Sequence, residues 1–273
     1  MNNLSINGVN IAYRTTGSGT PVLMAHCSSD SHRQWMFVDH LLPDHQLIAP
    51  DLIGYGGSDS WPTPGDMPFN ADAQVIDSLI QQAGEPVHLI GHSYGGAMSL
   101  ETIVLQLQQN RLQVKSLLLI EPIYFHLLKN SIYADQWQAV QAIGDSCVAC
   151  INAGDLAGAA DIFMGFWIGD GQWQQMPEKH KQMIIPTMAK VGDEFRGLDR
   201  FTSTMSTFDA LDIPVTVVRG QHSPEPARAV AELLAHQISQ AELLEIAGAG
   251  HMIPQTHPAE IGDIITAFKD RHW

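Results

Sequence analysis

Hydrophobic positions in this chain fall into short runs separated by glycine, proline and polar turns. Leu4–Ile6 and Val9–Arg14 flank Asn7-Gly8, a pair that tolerates positive φ and therefore predicts a β-hairpin. Pro21–His26 and Gln46–Pro50 are compact apolar runs of strand length, with a helix expected between them around Gln34–Leu42. Pro86–Ile90, a helical stretch near Gly95–Gln108 and the apolar Val114–Ile120 continue the alternation. Short apolar strands alternating with helices predict a mostly parallel sheet with helices on both faces, so the fold class is α/β.

The rhythm breaks after Glu121-Pro122. From about Tyr124 to Phe208 the chain carries helical segments rich in Gln and Met and shows no clear strand. Strand and helix then resume with Ile213–Arg219, Pro226–Gln237, Ala241–Ile246 and Pro258–Arg271. The simplest account is a core domain made of residues 1–122 and 209–273, interrupted by a helical cap over residues 123–208. Such a cap is expected over the C-terminal ends of the strands, where ligands bind in sheets of this kind.

Composition narrows the partners. With 14 Lys and Arg against 29 Asp and Glu the net charge is −15, and no basic run occurs anywhere. Nucleic acid and anionic membrane surfaces are bound through clustered positive charge, so neither is an expected partner. The first residues, MNNLSINGVN, lack the basic and apolar regions of a signal peptide, and no apolar run approaches membrane-spanning length. Three cysteines, Cys27, Cys147 and Cys150, cannot close a disulfide framework. Together these features predict a cytoplasmic location. Cys147 and Cys150 form a C-x-x-C, but no second pair completes a zinc site and no thioredoxin-like context surrounds them. Core packing is the reading preferred for them, and no metal or organic cofactor is expected.

The chemistry concentrates in two places. Gly91-His92-Ser93-Tyr94-Gly95 follows a predicted strand and opens a predicted helix, which matches the G-x-S-x-G nucleophile elbow in pattern and in context. A serine hydroxyl needs a neighbouring base, and His251, in Gly248-Ala249-Gly250-His251 after the last strand, is the candidate among the 13 histidines. An oxyanion needs two backbone N–H donors. Tyr94, next after the nucleophile, is one candidate, and Ser28 in the loop His26-Cys27-Ser28-Ser29-Asp30 is the other. Cys27 in the same loop reads either as a reactive thiol or, preferably, as a small residue filling a tight turn.

On these motifs the chain resembles the α/β-hydrolase fold family, and the likeness runs over nearly its full length. Asp51-Leu52-Ile53-Gly54-Tyr55-Gly56-Gly57-Ser58 is similar to the D-x-x-G-x-G-x-S segment found after the fourth strand of many capped members. Two departures stand out. The resemblance implies His-Gly after the third strand, where this chain has His26-Cys27. It also implies an acid after the strand near Pro214–Arg219, and Ser223 stands where that aspartate belongs. Some capped relatives, haloalkane dehalogenases among them, place the acid after the preceding strand, which points to Glu121. Glu225 is the alternative.

A serine at position 93 argues against the dehalogenase and epoxide-hydrolase chemistries, which need an aspartate there. It suits acyl transfer by Ser93, His251 and Glu121 on a small-molecule ester. Carbon–carbon bond hydrolysis and perhydrolysis use similar residues in the family. A non-catalytic ligand-binding protein is the alternative of another class. Trp137, Phe163, Phe166, Trp167, Trp173 and the methionines Met164, Met176, Met183 and Met188 are candidates either to line an apolar pocket or to pack the cap. The sequence does not indicate oligomeric state.

Overall fold

A computed structural model describes all residues, Met1–Trp273. Its centre is one eight-stranded sheet in the order β1-β2-β4-β3-β5-β6-β7-β8. The strands are β1 (Asn2–Ile6), β2 (Val9–Thr16), β3 (Thr20–Ala25), β4 (His45–Pro50), β5 (Val87–His92), β6 (Val114–Ile120), β7 (Val215–Gly220) and β8 (Ala241–Ile246). The β1–β2 and β2–β4 pairings are antiparallel, and every pairing from β4 to β8 is parallel. Asn7 and Gly8 both take positive φ, as the hairpin between β1 and β2 requires.

Alternation along the strands divides the core in two. Leu23 and Ala25 of β3, with Leu117 and Leu119 of β6, face the larger cluster, while Val22, Met24, Leu118 and Ile120 face the smaller one. The larger side is covered by α1 (Ala71–Ala83), α2 (Tyr94–Gln108) and α8 (Glu225–Gln237). The smaller side is covered by α9 (Ile253–Thr256) and α10 (Pro258–His272). Between β6 and β7 the chain makes helices only: α3 (Ala134–Asn152), α4 (Leu156–Ile168), α5 (Gln172–Gln175), α6 (Glu178–Ile184) and α7 (Met188–Gly197). No helix is long and apolar enough to cross a membrane.

The segment expected as a helix around Gln34–Leu42 is instead a 3₁₀ turn, His32–Val38, ending in Asp39 and irregular backbone. Its side chains are committed elsewhere. The Gln34 carboxamide oxygen accepts the Cys27 amide at 3.1 Å, and Trp35 is fully buried against the sheet. The 59–85 stretch supplies α1, closed at its C-terminus by Gly84 in the left-handed conformation.

The Asp51–Ser58 segment explains its own residues structurally. The buried Asp51 carboxylate accepts the amides of His32 and Gly57, each at 2.7 Å, and meets His32 Nδ1 at 2.8 Å. Gly56 has φ +55, and a Cβ there would lie 2.3 Å from the Asp51 carboxyl. Ser58 donates to the Asp51 carbonyl at 2.6 Å and accepts the Ala12 amide at 2.9 Å. Together these bonds pin the loop after β4 against β2. Asp51→Ala leaves the two amides without their acceptor and is expected to destabilise the fold by about 2–4 kcal/mol. Urea unfolding checks this through a lowered midpoint at unchanged slope.

Candidate active site

β3 and β5 are neighbours at the point where the chain reverses its direction of progress across the sheet. The C-terminal ends of strands at such a point open onto a crevice. Ser93 stands there, between β5 and α2, with φ 54 and ψ −117. A serine with positive φ is held under strain of about 1–3 kcal/mol. The Ser93 amide bonds to the Ile120 carbonyl at 2.9 Å, and the Ser93 carbonyl accepts the Ala97 amide at 3.0 Å, so the turn is fixed from both sides. A Cβ on Gly91 would approach the Gly95 carbonyl oxygen at 2.7 Å, and one on Gly95 would meet the Ala25 carbonyl oxygen at 2.3 Å.

His251 Nε2 lies 2.8 Å from Ser93 Oγ, and His251 Nδ1 lies 2.9 Å from Glu121 Oε2. The three side chains thus form one buried hydrogen-bonded line. Glu121 follows β6 directly and has φ 51, which turns its side chain back over the sheet edge. Its other oxygen accepts the amide of Gly220 at the end of β7. Ser223 is buried near this carboxylate but makes no hydrogen bond of good geometry. Glu225, the alternative acid, is exposed at the start of α8 and has no bond to His251.

Burial pushes the His251 imidazole down, so the ring rests neutral. Burial also pushes the Glu121 carboxyl above the usual carboxylate range, opposed chiefly by the Gly220 amide and then by Ser223, Arg219 and Arg228. Each carboxyl oxygen faces an N–H group, Gly220 on one side and the imidazole on the other, which is the pattern of an ionised acceptor. On that pattern Nδ1 carries the ring proton and Nε2 is left to accept from Ser93. The His251 carbonyl accepts from His92 Nε2 at 3.0 Å, which anchors the loop on which the imidazole sits.

Ser28 and Tyr94 reach the same place from two elements. Tyr94 is the first residue of α2, so its amide points out of the helix end. Ser28 follows Cys27, and its hydroxyl donates to Glu194 Oε2 at 2.6 Å. Cys27 departs from the expected glycine without strain, because the left-handed residue of this loop is Ser29, with φ 62. Burial, reinforced by Asp30, pushes the Cys27 thiol well above its ordinary value, so it rests protonated. Cys147 is buried and bonds to the Ala159 carbonyl, and Cys150 is half-buried. No cluster of His, Cys, Asp and Glu side chains is arranged to hold a metal ion.

The helical insertion forms the other wall. The Trp167 indole of α4 stacks on the His251 ring, with centroids 3.7 Å apart and planes 21° apart. A cleft of about 470 Å³ lies in front of Ser93 and His251, walled by Cys27, Phe163, Met164, Trp167, Met176 and Met183. Phe166 lines the neighbouring opening beside His251, whereas Trp137, Trp173 and Met188 are buried away from the cleft. A second anchor joins α7 to the core. Lys190 bridges Asp72 at 2.9 Å and Glu194 at 3.1 Å, and Tyr55 donates to Glu194 at 2.6 Å. Burial acts to lower the Lys190 pKa, but the two carboxylates outweigh it and the net shift is upward. Lys190 and Glu194 carry one signal legible in sequence, their i,i+4 spacing. Nothing local marks Asp72 or Tyr55 as their partners.

Fold and crevice define a hydrolase-like α/β protein, and comparison with known proteins makes the class specific. Residues 22–264 match the alpha/beta hydrolase family, and the chain belongs to it. Lipase LipV of Mycobacterium tuberculosis is 26% identical over 258 residues, covering 89% of this chain and 91% of that protein. The 2-hydroxymuconate semialdehyde hydrolase of Pseudomonas sp. strain CF600 is 31% identical over 104 residues, 34% of each chain. Among solved structures, a thermophilic esterase from Thermogutta terrifontis superposes with a TM-score of 0.78 at 21% identity, covering both chains completely. At that identity the likeness is one of fold.

Gly95→Ala forces a methyl group into the Ala25 carbonyl and is expected to cost more than about 3 kcal/mol. The check is a thermal melt, in which a variant with wild-type Tm would contradict the crowding at the turn.

Proposed function

We propose that this chain is a serine hydrolase that cleaves a small ester or related acyl substrate through Ser93, His251 and Glu121. The observation that carries the reading is the unbroken line from Ser93 Oγ through His251 to Glu121, with both contacts inside 3 Å. In this reading His251 Nε2 takes the hydroxyl proton as Ser93 Oγ attacks the carbonyl carbon. The carbonyl oxygen becomes an oxyanion, held by the amides of Ser28 and Tyr94 beside the positive end of α2. As the tetrahedral intermediate collapses, the C–O bond to the leaving group breaks and His251 returns the proton to the departing alkoxide. Water then enters, loses a proton to His251 and releases the acid, restoring the serine.

Glu121 has two tasks in this scheme. It keeps the ring proton on Nδ1, and it balances the charge of the imidazolium that forms in each half-reaction. Trp167 contributes from the opposite face, since an indole stacked on the ring attracts an imidazolium more than a neutral imidazole. The triad arrangement favours catalysis over a pure binding role, because ligand binding alone does not call for a serine aligned with a buried base and acid.

The decisive experiment is intact-mass analysis after treatment with a fluorophosphonate, alongside turnover of a 4-nitrophenyl ester. Single labelling of the wild type that disappears in Ser93→Ala and His251→Ala supports the reading. A folded wild type that takes no label supports the non-catalytic binding protein instead. Glu121→Gln can offer its amide N–H to Nδ1 and trap the wrong ring tautomer, so turnover is expected to fall by about 10⁴. Glu225→Gln is expected to match the wild type. Trp167→Leu is expected to lower kcat by roughly tenfold through the lost cation–π term, with Trp167→Phe falling between it and the wild type.

A further inference from the structure

Besides the opening beside His251, two cavities border the candidate site, and they differ in size, lining and in which reacting groups they touch. The wide cleft touches both Ser93 and His251. The second is a narrow slot of about 30 Å³ between the core and the insertion, lined by Ser28 and Tyr94 but by neither Ser93 nor His251. Ser28, Phe163 and Trp167 line both, so the two cavities are adjacent.

Proton transfer assigns the halves of an ester to these spaces. The leaving oxygen must receive its proton from His251 Nε2, so the alcohol portion has to lie on the side that His251 faces, which is the cleft. The acyl substituent leaves the carbonyl carbon in another direction, and the remaining space beside the oxyanion donors is the slot. Resting on the serine-hydrolase reading above, we propose that the slot is the acyl site and admits only short, uncharged acyl groups, while the cleft takes alcohols of varied size.

The slot limits length through its volume. A water needs about 10–15 Å³ by the same measure, so there is room for about two or three heavy atoms beyond the carbonyl. Phe195, Leu198 and Phe201 stand in its wall. Charge is limited by Glu194, whose oxygens already accept from Ser28, Tyr55 and Lys190. Lys190 is shared between Asp72 and Glu194, so the group carries one positive charge against two negative. A carboxylate on the acyl chain would lose its water there and find a surplus of negative charge. The cleft, by contrast, is open and rich in methionine, a flexible side chain that adapts to different shapes.

The test is kcat/KM on two ester series. In the first, 4-nitrophenyl esters run from acetate to octanoate, with the 4-nitrophenyl hemisuccinate compared with the butyrate. In the second, acetates of primary alkanols from ethanol to octanol, whose leaving-group basicity is nearly constant, are followed by pH-stat. Beyond butyrate each added carbon is expected to lower kcat/KM by about tenfold or more, since the pocket has no room for it. The hemisuccinate should fall below the butyrate by a similar factor or more, and the alcohol series should vary little. Leu198→Ala, which shortens a partly exposed side chain in the slot's wall and so enlarges the slot, should move the cut-off to longer acyl chains. Rates that rise from acetate to octanoate, or a hemisuccinate equal to the butyrate, would overturn the acyl-site assignment while leaving the hydrolase reading intact. No turnover of any ester by a chain that labels with fluorophosphonate would overturn the ester assignment and the slot's role together.

Discussion

A carboxylate with no exposed surface needs donors on both oxygens, and at Glu121 those donors come from two other segments of the sheet edge. The Gly220 amide approaches from the end of β7, and the His251 ring from the loop after β8. Each bond limits how these segments can lie, because an unsatisfied buried charge would cost several kcal/mol. Gly220 must lack a side chain, since a Cβ there would sit 2.5 Å from the Ala249 carbonyl oxygen. The His251 loop can therefore close down over the strand end and present its ring to Ser93. Strain at Ser93 and Glu121, both at positive φ, is tolerated because neighbouring strands bond their amides to Ile120 and Val218.

The insertion is tied to this edge by two contacts of different kinds. Trp167 lies flat on His251, and the Lys190–Glu194 pair of α7 reaches Asp72, Tyr55 and Ser28. The second contact links a charged cluster to the backbone turn that carries Ser28. Removing one member would leave its partner's charge buried, so the cluster behaves as a unit rather than as separate bridges. Its position also decides the polarity of the slot, where an otherwise apolar wall ends in a carboxylate that is fully bonded.

The carboxylate that meets His251 stands on a different strand from the one the family pattern implies. After β7 the chain has Ser223 rather than an aspartate, and the buried serine leaves space that Glu121 fills from the adjacent strand. Strand ends in a parallel sheet are about 4.8 Å apart, so a longer side chain can reach the same imidazole nitrogen from the neighbouring strand. Cys27 is a comparable case. The loop accepts a side chain there because Ser29, rather than Cys27, carries the left-handed turn.

By itself the sequence determined what depends on local periodicity and on residue types that few backbones allow. The alternating strands and helices, the Asn7-Gly8 hairpin and the crowded Gly91 and Gly95 around Ser93 belong to that group, because steric exclusion acts within a few residues. So does family membership, which rests on those same motifs. Tertiary structure decided what depends on distant partners. The surroundings of Glu121 and Glu225 are one instance: both lie within a few residues of a strand end, and only packing shows that the first is buried against His251 and the second exposed. The 3₁₀ turn at His32–Val38 is another, since Gln34 and Trp35 serve the Cys27 amide and the sheet in place of a helix. The partners of Lys190, the stacking of Trp167 on His251 and the two unequal cavities that Ser28 lines complete the group. They join segments far apart in the chain, 130 residues in the case of Glu121 and His251, and no local pattern encodes such a pairing.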